Sequence, residues 1–114
     1  MQNQSELCDL TPTWRTIAIN GEKYVIEYDY RAYAMAEEAT GKSVYELKDD
    51  FLNGQITLTN QLLILYSGLL RHHNDFDIEI LKNHPRVGSL ITQALEPMLE
   101  AFFTPLLPCK ISNL

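Results

Sequence analysis

The dipeptide Asn20-Gly21 stands between two β-prone runs, Trp14 to Ile19 and Glu22 to Tyr28. A two-residue connection between such runs needs positive φ at both central positions, which Asn-Gly accepts more readily than almost any other pair. The chain is therefore expected to form a β-hairpin with a type I′ turn. A two-residue turn also sets the register, opposing Ile19 to Glu22 and Ile17 to Tyr24. Ile17, Ile19, Tyr24, Ile26 and Tyr28 then share one face. An isolated hairpin is barely stable in water, so that face must be covered by something else in the chain.

Helices are the expected cover. Asp29 can cap a helix from Tyr30 whose stripe is Ala32, Met35, Ala36 and Ala39, and Thr40-Gly41 stops it with Gly41 in the left-handed cap position. Ser43-Val44-Tyr45-Glu46 is a capping box for a helix from Val44 to about Leu52, with Val44, Leu47 and Phe51 inward, ended by Asn53-Gly54. A central helix follows from Thr57 or Thr59 to Arg71, with a stripe of Leu58, Leu62, Leu65, Tyr66 and Leu69. After His72 to Asp75, Asp77 can cap a short helix to Asn83, with Phe76 stapled on Leu81. Pro85 suits the first position of a last helix, Arg86 to about Phe103, which carries Val87, Leu90, Ile91, Ala94, Leu95, Met98, Leu99 and Phe102 at helical spacing. Pro97 lies inside it and should kink it near Gln93. The expectation is an α+β fold, predominantly helical, in which an N-terminal hairpin packs on a bundle of about four to five helices. Residues 1–13 read as a flexible arm, 14–103 as one globular domain, and 104–114 as an apolar tail that folds back on the core or docks on a neighbour.

A chain of 114 residues supports one hydrophobic core. Apolar residues at 46% and charged residues at 21% are a globular balance. The net charge of −6 repels phosphate backbones, and the nine basic residues are spread along the chain, which argues against nucleic acid as a ligand. Cys8 and Cys109 form no CxxC pair, so reduced thiols in a cytosol are expected. The polar start of the chain and the interruption of Leu62 to Leu70 by Ser67 and Gly68 give no signal peptide and no membrane span.

Chemistry-bearing clusters are sparse. His72, His73 and His84 with Asp75, Asp77 and Glu79 invite a metal reading, but adjacent histidines point about 100° apart on a helix, and no HExxH or His/Cys spacing is present. The Asp75-Phe76-Asp77-Ile78-Glu79 alternation lacks the glycine and distal glutamate of a calcium loop. The pairs Glu37-Glu38 and Asp49-Asp50 read as solvated helix faces, not as a converging acid–base pair. No phosphate loop, nucleophile elbow or supported Cys/His pair occurs. Catalytic, cofactor and metal residues are accordingly expected to be absent.

Tyrosine, in contrast, is dense: Tyr24, Tyr28, Tyr30, Tyr33 and Tyr45. Such amphipathic aromatics either roof a thin hairpin–helix core or form a protein interface. Tyr30 and Tyr33 lie off the alanine stripe and are the better interface candidates. With Tyr45 and the apolar residues Phe102, Phe103, Leu106 and Leu107 near the C-terminus, they make up the expected protein-contact set.

The order of motifs adds a resemblance. Gly21-x-x-Tyr24 on the second strand, Asp29, Ala32, then Glu37-Glu38-Ala39-Thr40-Gly41-Lys42-Ser43, then Leu65-Tyr66-Ser67-Gly68-Leu69 together resemble the tail assembly chaperones of long-tailed bacteriophages, over roughly residues 14–100. That family typically reads as a G-x-x-Y strand, an aspartate, a helix ending E-x-x-T-G-K-S and a later L-Y-x-G-L helix. The resemblance implies a non-enzymatic helper in the host cell cytoplasm that binds tape-measure protein, keeps its apolar helices from aggregating and recruits tail-tube subunits. It also implies self-association into a homo-oligomer, and often a second, longer form made by ribosomal frameshifting. Pro97 and the apolar tail after Thr104 have no counterpart in the family pattern. The alternative is a structural virion component, a head–tail connector or minor tail protein; a small metal-binding regulator or enzyme built on His72, His73 and Asp77 is the third reading.

Overall fold

In the computed structural model, which describes residues 12–107, two strands are followed by five α-helices and a short 3₁₀ turn. The elements are β1 (Trp14–Ile19), β2 (Glu22–Glu27), α1 (Tyr30–Thr40), α2 (Val44–Leu52), α3 (Leu58–Leu69), α4 (Glu79–Lys82), α5 (Val87–Phe103) and the 3₁₀ turn Thr104–Leu106. The fold is α+β and mostly helical, as expected.

β1 and β2 pair antiparallel with Ile19 opposite Glu22 and Ile17 opposite Tyr24. The turn has φ of 53° at Asn20 and 82° at Gly21, the left-handed values that the dipeptide was expected to supply. Ile17, Ile19, Ile26 and Tyr28 are buried and Tyr24 is half-buried. α5 lies against β1, and α3 against β2.

Local capping sets the helix boundaries. Asp29 Oδ1 accepts from the Ala32 N–H and Gly41 takes φ 73° at the other end of α1. Ser43 and Glu46 complete the capping box of α2, and Thr57, not Thr59, caps α3 by accepting from the Asn60 N–H. Glu37, placed on a solvated face by its sequence, also reaches across to accept from the Val44 N–H at 3.0 Å, while Asp50 pairs with Lys42 at 2.6 Å. Each satisfies a donor in or beside the α1–α2 connection.

Several expected positions are corrected. In α1 only Ala32 and Ala36 of the alanine stripe are buried, whereas Met35 and Ala39 face outward. The inward side of the helix is completed by Tyr33, whose bulk fills space that alanines leave. Leu58 is 48% exposed because it begins α3, beyond the edge of the core. α5 begins at Val87, after an Arg86 with φ −127°, so Pro85 stands two residues outside the helix. Helix α5 then continues through Pro97 as one element of 17 residues. Asp77 supports α4 by accepting from the Glu79 N–H at 2.9 Å, and Phe76 and Leu81 are both buried.

The Tyr28 ring packs directly over Gly68 of α3. A Cβ on Gly68 would lie 2.6 Å from the Tyr28 ring, and the Tyr28 hydroxyl donates to the Ile64 carbonyl at 2.7 Å. Burial and the neighbouring Tyr33 push the Tyr28 phenol well above its ordinary value. Glycine in the L-Y-x-G-L segment is thus where the hairpin's last aromatic meets the central helix. Leu106 packs partly against the core and Leu107 is 61% exposed. Cys8, Cys109, most of the expected N-terminal arm (residues 1–11) and the end of the apolar tail (residues 108–114) lie outside the described residues.

Candidate protein-contact surface

The seven expected contact residues divide sharply. Tyr30 is 84% exposed, Tyr45 64% and Leu107 61%, so these side chains stand in solvent. Phe103 and Leu106 are half-buried, packed along the margin of the core. Phe102 is fully buried, which corrects its placement as a contact residue. It is the hub of an aromatic cluster, with ring centroids 5.1 Å from Tyr28, 5.4 Å from Tyr33, 5.8 Å from Phe51 and 6.0 Å from Phe103. Its place on the apolar stripe of α5 was the signal for burial.

Tyr33 is half-buried. Its ring stacks on Tyr28 at 5.8 Å, and its hydroxyl donates to the Phe102 carbonyl at 2.6 Å, near the end of α5. Burial first, and the nearby Tyr45 second, push the Tyr33 phenol far above its ordinary value. The phenol is therefore held neutral, donating one hydrogen bond to a carbonyl in the last turn of α5.

The exposed apolar set is larger than the tyrosines. Trp14, Met35, Leu52, Leu58 and Ile80 join Tyr30, Tyr45 and Leu107 as large side chains open to solvent. Met35 also forms part of a cleft of about 590 Å³ between α1 and the C-terminal end of α3. Arg31, Leu70, Arg71 and Asn74 line it too. Arg71 Nε lies 3.0 Å from Asp29 Oδ2, leaving Oδ1 of that carboxylate to cap α1. A smaller cavity of about 230 Å³ lies between β1 and α5, where Thr16 and Ala18 face Gln93 and Pro97.

The three histidines have structural partners. His73 Nε2 accepts from the Val25 N–H at 2.9 Å on the outer edge of β2, which places any neutral-ring proton on Nδ1, and its ring meets Tyr24 edge-on at 5.0 Å. His72 Nε2 lies 2.6 Å from Glu27 Oε1, and His84 Nε2 lies 3.0 Å from Asn20 Oδ1 at the hairpin turn. Together they tie the hairpin to the ends of α3 and α4. Glu27 is held below its usual range chiefly by the hydrogen bond from Thr13; burial opposes this, and His72 and Arg71 reinforce it. Among the described residues no group of three or more histidine, cysteine or acidic side chains is placed to hold a metal ion, and no helix is long and apolar enough to cross a membrane.

What this surface can do chemically is bury apolar area against a partner, with phenol hydroxyls and guanidinium groups at its margin to orient that partner. Comparison with family models, curated protein sequences and solved structures returns no match to this chain.

Proposed function

We propose that the chain is a non-enzymatic tail assembly chaperone of a long-tailed bacteriophage, acting in the host cell cytoplasm. In this reading it binds tape-measure protein and tail-tube subunits during tail assembly, and it works as a homo-oligomer. The observation that carries the proposal is a surface with many large apolar side chains on a molecule whose core is already closed. Tyr30 and Tyr45 in particular add nothing to the fold at 84% and 64% exposure, and exposed aromatics of this kind are typical anchors of protein interfaces. The net charge of −6 keeps such a surface soluble until a client covers it. The motif order from Gly21 to Leu69 supplies the family context.

Co-expression with the tape-measure protein of the same genome tests the reading. The expected outcome is a soluble complex that survives affinity purification, together with a mass above that of the monomer in size-exclusion chromatography with light scattering. A strict monomer that leaves tape-measure protein insoluble is incompatible with the proposal. Recovery of the chain as a stoichiometric part of purified virions would replace it with the structural alternative, a head–tail connector or minor tail protein.

A further inference from the structure

The cleft between α1 and the end of α3 has a chemistry unlike the rest of the surface. In a molecule of net charge −6, two guanidinium groups, Arg31 and Arg71, line the same space of about 590 Å³. Arg71 already holds a carboxylate, that of Asp29, at 3.0 Å. Arg31 makes no ion pair among the described residues, where the cations that do are Arg15, Lys42, Arg71 and His72. Between the two arginines the walls are apolar, with Met35 39% exposed and Leu70 half-buried, and Asn74 adds an uncharged amide.

We propose that this cleft is the docking site for an acidic amphipathic segment of a partner protein. A glutamate or aspartate of that segment pairs with Arg31, and its apolar stripe lies on Met35 and Leu70. Charge complementarity selects the occupant. Guanidinium groups are matched to carboxylates by their planar fork of donors, and in the same cleft Arg71 Nε already lies 3.0 Å from Asp29 Oδ2. The overall negative charge keeps polyanions such as nucleic acid at a distance, so the fitting ligand has few carboxylates with apolar residues between them. A cleft between two helices suits a helical segment, whose apolar residues recur at i, i+3, i+4 and i+7. This inference rests on the reading that the chain binds other proteins, and it specifies the chemistry that one part of the surface recognises.

The test uses the full chain, labelled with ¹⁵N, and a synthetic helical peptide with leucines at that spacing, a few glutamates and otherwise uncharged residues between them. A second peptide has every glutamate replaced by glutamine. The amides of Arg31, Met35, Leu70, Arg71 and Asn74 are expected to shift saturably with the acidic peptide. The glutamine peptide should bind about tenfold or more weakly, and Arg31→Glu should cause a loss of similar size. Met35→Ser, also at an exposed position, should weaken binding without changing the dispersion of the spectrum. Equal affinity for the two peptides, shifts centred elsewhere, or the same shifts with free glutamate at equal concentration would each overturn the proposal. Because the peptide is synthetic, such a failure leaves the tape-measure reading to its own co-purification test.

Discussion

Gly68 and Tyr28 show how a single residue governs the fit between hairpin and helices. A methyl group at position 68 would sit 2.6 Å from the Tyr28 ring, and that ring is also held by its hydroxyl on Ile64. Gly68→Ala is therefore expected to destabilise the fold by about 1–3 kcal/mol despite its better helix propensity, because a locked aromatic has nowhere to move. Tyr28→Phe removes the hydroxyl and leaves the ring, and should lower stability by about 1–2 kcal/mol; urea denaturation of both variants reads out the two effects. Glu27 adds a pH dependence. Its carboxyl is held below the ordinary value of 4.5 in the folded state, chiefly by Thr13 and with help from His72. A carboxylate depressed on folding stabilises above its unfolded pKa, and that contribution is lost as pH falls through the folded one. Acid titration of thermal stability should show a loss beginning near pH 4.5 and deepening below it, and Glu27→Gln should flatten that part of the profile.

Among the elements, α5 is the one that breaks a local rule. Pro97 cannot donate to the carbonyl of Gln93, yet the helix runs unbroken from Val87 to Phe103, with Met98, Ala101 and Phe102 fully buried beyond the proline. Packing of its last turns holds it together. Pro97→Ala should restore one helical hydrogen bond and stabilise the protein by about 1–3 kcal/mol in chemical denaturation, while a helix that depends on the proline would lose stability instead. Elements with a local signal were legible from sequence: the Asn20-Gly21 turn, the Asp29 and Gly41 caps and the Ser43–Glu46 box all depend on residues within a few positions of one another. What sequence did not reveal was which side of a small helix faces inward when alanines occur on more than one side. In α1 that choice was made by Tyr33, which finds its partner at Phe102, far along the chain. Phe102, whose burial its place on the apolar stripe of α5 already signalled, is enclosed and Tyr33 half-enclosed, whereas Tyr30 and Tyr45 stand on the open sides of their helices. The arginine cleft had no sequence signal, because residues 29–35 and 67–74 meet only when α1 packs on α3.

On the scale of the whole molecule, the protein separates two uses of apolar residues. One set, centred on Tyr28, Leu65, Met98 and Phe102, closes a core under the hairpin; the other, including Tyr30, Tyr45 and Met35, stays in solvent. In the proposed function, the second set covers a client. Tyr30→Ser and Tyr45→Ser together should leave the unfolding midpoint nearly unchanged, since exposed side chains away from caps and contacts contribute within about 0.5 kcal/mol each. The most direct measurement is light scattering from an aggregating tape-measure fragment with and without this protein. The native chain is expected to suppress scattering at a fixed stoichiometry, and the folded double variant to suppress it far less. Equal suppression by both, or none by the native chain, would contradict the proposed function.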